Sequence, residues 1–495
     1  MHLKILAPKQ KFFILIDFVL KIRGRLTHRI LIILALAIVL ASNAAHGADY
    51  LKESQQRVVC ASEILGKIVR SEAVYYDNVI IKGDIDLNNI KNNKKFNITT
   101  PITITRSQID GRINLSTAIF SKTISFNGSQ FMDDVNFSKS KFSDAVSFID
   151  SQFKGNAYFN ESHFVGFAHF NDVQFSGYSK FSKSQFNKDV DFRNVKFDNL
   201  AWFLESKFEE DANFRGSIFL DAFFSGSLFQ GDAQFIDSKF IYGADFGETR
   251  FDGDADFLRS QFENDAYFTE SQFNGNANFI KSQFKGDARF TGCRFFVAEF
   301  IKTKFTGTGV VDFWNSEFIR YADFRDSRFE GPLLYWASIK SQTFDESTYL
   351  AIIKNFKDNG NFDEADECYY QYRLEKMHSH FRSSFSFSEF FLGMLSLVTS
   401  GYGVHLINTI FCAIFILFIF GLQFSRYVVV DWDLKEALVL SAMILLSLPL
   451  DWRSSKRNYT KLVEDHLFLV TLERLIGWGL LIILIGTFSR ITIRY

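Results

Sequence analysis

The chain is poor in the patterns that mark chemistry. Its 495 residues include only four cysteines, Cys60, Cys293, Cys368 and Cys412, and these form no C-x-x-C pair, so neither a zinc site nor a disulfide framework is readable. The nine histidines make no H-x-x-x-H or H-E-x-x-H arrangement, and no G-x-S-x-G or phosphate-loop motif occurs. No catalytic, cofactor-binding or metal-binding residue is therefore assigned, and the chain reads as non-enzymatic. A formal net charge of −1 advertises no particular partner.

What is abundant is phenylalanine, with 61 copies. In FDGDADFLRSQFENDAYFTESQF, residues 251 to 273, Phe251, Phe257, Phe262, Phe268 and Phe273 are separated by alternating steps of six and five. Neither the helical nor the alternating-strand template has that rhythm. The spacing runs from about Phe120 to Phe329, so one rule governs roughly 210 residues, as expected of an array whose units bury their apolar faces only by stacking. Small side chains stand two residues before each ring, among them Ala255, Ser260, Ala266 and Ser271. In an extended chain alternate residues share a face, so ring and small residue both point inward.

This eleven-residue pattern, F-x-x-S-x alternating with F-x-G-D-A-x, resembles the pentapeptide-repeat family. The resemblance implies a mainly β fold: a right-handed, four-sided parallel β-helix with about 22 residues per coil and rungs about 4.8 Å apart. Roughly nine and a half coils, a rod of about 45 Å, follow from that spacing. Phe246, Phe268 and Phe290 should form one ladder. The register breaks at Phe219, Phe224 and Phe229, at Phe295, Phe300 and Phe305, and between Phe305 and Phe313, where bulges or loops are expected. Some members of the family mimic DNA with a strongly anionic face; the mild acidic excess here is spread evenly, and no nucleic-acid partner is expected.

Around the repeats the period changes. Residues 1–47 carry a basic stretch and then twelve apolar residues, Ile30 to Ala41, followed by small ones. They read as a signal peptide or, alternatively, as an uncleaved anchor. Residues 48–119 are expected to cap the β-helix, with a short amphipathic helix at 60–70, strand-like alternation at 74–87 and a polar loop at 88–97. The β-helix itself is placed at 120–335. A helical hairpin is expected at 346–382, turning at Asn359–Asn361, with Ala365, Cys368, Tyr369 and Tyr372 on one face of its second helix. Residues 390–495 read as a membrane region, with spans at about 404–424 and 467–488 and a short re-entrant or tilted segment at 437–450.

Several motifs have both a chemical and a plain reading. T-S-G-Y-G, Thr399 to Gly403, resembles a potassium-channel filter, yet no membrane helix precedes it, and a juxtamembrane turn is the favoured alternative. The membrane region also resembles a degenerate two-helix channel module, in which the filter would fall near Ser447 to Asp451; SLPLD stands there, without glycine. Asp252, Asp254 and Asp256 alternate as calcium ligands would, or as ordinary exterior positions. Glu364, Asp366 and Glu367 beside the tyrosines suggest a carboxylate site less well than they suggest a packed hairpin. Cys293 occupies a small-residue slot and reads as core. Sequons occur at Asn97, Asn114, Asn127, Asn136, Asn160 and Asn458.

The expectation is a multi-pass cell-membrane protein with an extracytoplasmic repeat domain, acting as a scaffold or protein-interaction module. Its partners would be the lipid bilayer, through the C-terminal helices, and a protein that the sequence does not identify, with self-association through the membrane region left open. The alternative is an ion-channel-like protein whose β-helix senses or gates.

Overall fold

The computed structural model describes residues 56–87, 96–307, 309–330, 333–342, 344–383, 387–428, 434–448 and 466–492. The 1–47 leader, most of the 88–97 loop, and 449–465, with Asn458 and much of the SLPLD stretch, lie outside the described residues.

From Arg57 to Leu334 the chain winds into a parallel β-solenoid of about 12 turns. A regular turn uses 22 residues: Lys141–Phe142 pairs with Ile119–Phe120 on one side and His163–Phe164 on the other. A regular turn contributes four short strand segments, and the ladders gather into two sheets of 22 and 20 strands.

The two sequence units build that turn in different ways. In F-x-x-S-x, the Ser260 amide donates to Phe257 O at 3.0 Å, closing a β-turn whose third residue, Arg259, has φ 58°. The serine hydroxyl then donates to the phenylalanine carbonyl of the previous coil, Ser260 Oγ to Phe235 O and Ser282 Oγ to Phe257 O, each at 2.6 Å. The slot thus wants a side chain that is small and carries a donor. In the six-residue unit alanine or valine points inward, and glycine lets the backbones approach: a Cβ on Gly253 would stand 2.5 Å from Gly231 O.

Phenylalanine fills the interior. Phe246, Phe268 and Phe290 stack with 5.0 Å between successive centroids, matching the strand spacing as expected. Phe268 also meets Phe257 and Phe279 edge-on at 5.5 and 5.4 Å. Stacked contacts run along each ladder and T-shaped contacts lock neighbouring ladders, both arrangements that the ring quadrupole favours.

The solenoid exceeds the expected nine and a half coils because strand pairing starts at Arg57, within the segment expected to be a cap. There Ile81, Leu87, Ile104, Ile109 and Leu115 take the inward positions that phenylalanine takes later. Helix α1, Ala61–Val69, lies within the first coil and buries Ile64 and Ile68. One early coil steps by 28 residues, Val74 pairing with Ile102. At the consecutive five-residue spacings the chain forms bulges: Lys196–Trp202 pairs with Ile218–Phe223, and the register slips between Phe197 and Leu200. Gln272–Asn278 and Arg294–Glu299 do the same.

Helices close the far end. After the short α2, Trp336–Ile339, come α3, Glu346–Asp358, and α4, Phe362–Ser383. The Asp345 side chain caps α3 by accepting from Ser347 N. Thr348 Oγ1 donates to Phe324 O at 2.6 Å and Asn355 Nδ2 to Phe329 O at 3.3 Å. Thr348 takes the place of a hydroxyl that a further coil would bring to the ladder and Asn355 that of a backbone amide, as Glu330 N supplies to Phe305 O, so the hairpin satisfies carbonyls left open on the last coil. Beyond it lie α5, Phe387–Ser400, α6, Leu406–Gln423, extended by a π-helical turn to Val428, α7, Leu434–Leu445, and α8, Leu467–Thr492. Two stretches, Leu406–Arg426 and Leu467–Arg490, are long and apolar enough to cross a membrane.

Candidate functional site

Residues just after the inward alanine or valine point outward and stack coil on coil. On one sheet this exterior ladder reads Tyr158, Lys180, Trp202, Phe223, Asp245, Tyr267 and Arg289, each paired with the next. Packing of the solenoid does not call for aromatics there, since its interior is filled by the phenylalanines. Yet Tyr178 lies 5.4 Å from Trp202, which in turn lies 6.5 Å from Phe223. Lys180 Nζ sits 4.4 Å from the Trp202 ring, 5.5 Å from Tyr158 and 5.9 Å from Tyr178. Cation–π attraction of about 0.5–1 kcal/mol at exposed sites holds such a group in place. Tyr178 remains exposed on this face. Burial beside the sheet and the nearby Asp134 carboxylate push the Tyr158 phenol above its ordinary value. The arrangement is a cluster of rings around one cation, and it offers no nucleophile paired with a base.

Sequence reasoning did not single out this row. Its signal was available once the inward register was known: aromatic residues in slots that elsewhere hold Asn, Asp or Gln.

Each of the aspartates considered as calcium ligands has hydrogen-bond partners of its own. Asp254 Oδ1 accepts from Asn276 N at 2.8 Å, while its own amide donates to Asp232 Oδ1 at 2.9 Å. Asp252 pairs with Arg250 at 2.7 Å and accepts from Asn274. Asp256 accepts from Leu258 N at 2.9 Å, and burial raises its carboxyl. These carboxylates therefore satisfy backbone and side-chain donors of their own and neighbouring coils.

Cys293 replaces serine in the ladder and donates Sγ to Phe268 O at 2.8 Å; burial raises its thiol. On α4, Ala365, Cys368 and Tyr372 are buried against α3 and the last coil, with Tyr369 packed beside them.

Thr399–Gly403 forms the corner between α5 and α6. Gly401, Tyr402 and Gly403 have φ of 54°, 59° and 79°, and the amides of Gly401 and Tyr402 donate back to Leu397 O and Ser396 O at 2.9 and 3.1 Å. This is a glycine C-cap. The corner docks on α4: the Arg373 guanidinium lies 4.9 Å from the Tyr402 ring, and Tyr402 Oη donates to Met377 Sδ at 3.4 Å. Beside it Arg490 of α8 donates to Asp366 Oδ1 at 2.7 Å and lies over Tyr369 at 4.8 Å. Asp366, considered as part of a carboxylate site, is thus the ion-pair partner that joins hairpin to α8.

A family model described as pentapeptide repeats (9 copies) matches residues 137–185, 170–218, 181–228, 214–261 and 257–304. No curated protein and no solved structure matches the chain. The repeat profile and the stacked-coil geometry agree that residues 137–304 of the solenoid are built of pentapeptide repeats.

Proposed function

We propose that this protein is a non-enzymatic scaffold, held in the cell membrane by α6 and α8, which presents an extracytoplasmic rod to a protein partner. The observation that carries this reading is the exterior row Tyr158, Tyr178, Lys180, Trp202 and Phe223. Aromatic residues are over-represented where proteins bind one another, since each removes a large area from water at a low rotamer cost. Anchoring is supported by the outward faces of α6 and α8, where Phe411, Phe415, Ile482 and Phe488 are exposed; in water such a surface would drive association. Neither bilayer, protein partner nor self-association calls for a nucleic acid.

The test is a photoreactive amino acid placed at Trp202 in the full-length protein on intact cells, with the same probe at Asn213, on the opposite sheet, as control. Discrete protein adducts at 202 and not at 213, lost in a Tyr178→Ala, Lys180→Ala background, support the row as a recognition surface. Equal adducts at both positions reject it. Retention in membranes through an alkaline wash checks the anchor.

One observation favours a second reading, an ion-conducting module: the 12-residue α7 packs against both long apolar helices. The residues after it do not supply filter glycines, and Ser447 Oγ is engaged in accepting from Trp478 Nε1 at 2.8 Å. Reproducible potassium-selective current from the purified protein in bilayers would promote this reading over the scaffold.

A further inference from the structure

Glu473 is fully buried on α8, where α8 meets α6 and α7. The apolar side chains of that contact include Phe420 and Ile416 from α6, Leu440 and Ile444 from α7, and Val470 and Ile476 from α8 itself. The carboxyl has one polar neighbour: Oε1 is in hydrogen-bond contact with Ser441 Oγ of α7, while Oε2 has no partner. Ser441 Oγ also lies 3.0 Å from Leu417 O of α6.

Counting protons decides how these contacts can coexist. A serine hydroxyl carries one O–H, and a backbone carbonyl can only accept. If Ser441 donates to Leu417 O, its oxygen must accept from Glu473, and only a protonated carboxyl can donate. If Ser441 donates to an ionised Glu473 instead, Leu417 O loses that donor and a full negative charge stands in an apolar contact with one hydrogen bond, which is the costlier arrangement. Facing charges do not offset it. Helix α6 carries no charged side chain between Leu406 and Gln423, and Arg426 follows on the π-helical turn. On α7 Lys435 and Glu436 are exposed in the first turn, as is Glu389 on α5. Arg474 is the next residue along α8, with its Nε buried and unpartnered, and none of the ion pairs among the described residues joins it to Glu473.

We propose that Glu473 is a proton-binding site: the carboxyl holds a proton that it donates to Ser441 Oγ, and Ser441 donates its own to Leu417 O. The ligand is a proton, and the relay ties three helices through two side chains. Loss of the proton leaves one O–H for two acceptors, so the tie is complete at low pH and weakens as pH rises. The inference rests on the three-helix packing and is independent of what the solenoid binds.

The experiment is infrared difference spectroscopy of the full-length protein in detergent micelles, parent minus Glu473→Gln. A protonated-carboxyl C=O band at neutral pH, giving way to carboxylate bands as pH rises, is expected. In Ser441→Ala the carboxyl loses its acceptor, and the band should move to higher frequency. Carboxylate bands already present at neutral pH overturn the proposal, as does a protonated band that Ser441→Ala leaves in place. Should Glu473→Gln fail to fold, the difference between parent and Ser441→Ala carries the same reading.

Discussion

Phe268→Ala removes one ring from the middle of the stack. In the parent that ring is fully buried and touches six others: Phe246 and Phe290 at 5.0 Å, Phe279 at 5.4 Å, Phe257 at 5.5 Å, Phe262 at 6.0 Å and Phe273 at 6.2 Å. A large-to-small change in a core costs the transfer free energy plus the cavity left behind, about 3–5 kcal/mol for Phe→Ala. Collapse would reduce that figure, but the coil cannot sink: the Phe268 amide is bonded to Arg289 O at 2.7 Å, and the adjacent rungs hold the same spacing. The upper half of the range is therefore expected. In a stacked-repeat protein the loss falls on the damaged coil and its neighbours, so native-state amide exchange is the assay. At about 1.4 kcal/mol per factor of ten, protection of the coils holding Phe246, Phe268 and Phe290 should fall by roughly three to three and a half decades. A fall of less than about tenfold would show that the ring stack does not carry the stability of the rod.

The remaining predictions test the smaller parts of the same design. Ser260→Ala should cost about 1 kcal/mol in urea unfolding, because Phe235 O keeps the Ser238 amide at 3.1 Å and is not orphaned; Ser260→Cys should cost less, and the reverse order would refute the hydroxyl ladder. Burial first, and then the Asp323 carboxylate, raise the Glu299 carboxyl, so its contribution to stability is fully present below the unfolded value of about 4.3 and is lost as pH rises through the folded one. Glu299→Gln should accordingly stabilise the rod at neutral pH and lose that advantage in acid; urea midpoints that differ equally at both pH values would sink the argument. Gly401→Ala meets both a positive φ and a Cβ position 2.5 Å from His405 Cδ2, and should cost about 1–2 kcal/mol, seen as faster proteolysis between α5 and α6.

The phenylalanine coils were legible because one residue type marks every rung. Phe246, Phe268 and Phe290 are 22 residues apart in the sequence and stacked in space. The first coils were not legible as coils, since Ile81, Ile104 and Ile109 satisfy the same inward demand with a residue that is common everywhere, and the 28-residue step from Val74 to Ile102 breaks the count. The serine slot was visible as a small-residue position, but its donor role depends on a carbonyl 25 residues back, Phe235 for Ser260, which only the coil length brings near. The exterior row was hidden for the opposite reason: aromatic residues in a sequence with 61 phenylalanines do not stand out until inward and outward are known. Glycine in T-S-G-Y-G suggested a filter or a turn, and the three consecutive positive φ values at 401–403 belong to a C-cap.

Closure of the solenoid bears on how its orientation is set. Because Thr348 and Asn355 take contacts that a further coil would supply, α3 continues the stack. Helix α4 packs on α3 through Ala365 and Cys368, and so inherits the position of the rod. It is α4, in turn, that meets the apolar helices, through Asp366 on Arg490 and Arg373 on Tyr402. A tether serving only to keep the rod nearby would need no such contacts. Asp366, only 6% exposed, would leave the Arg490 guanidinium unpaired at a partly buried position if replaced, and unpaired buried charge is strongly unfavourable. The ion pair therefore ties the hairpin to α8, and under the proposed function the C-terminal helices set the direction in which the aromatic row is presented.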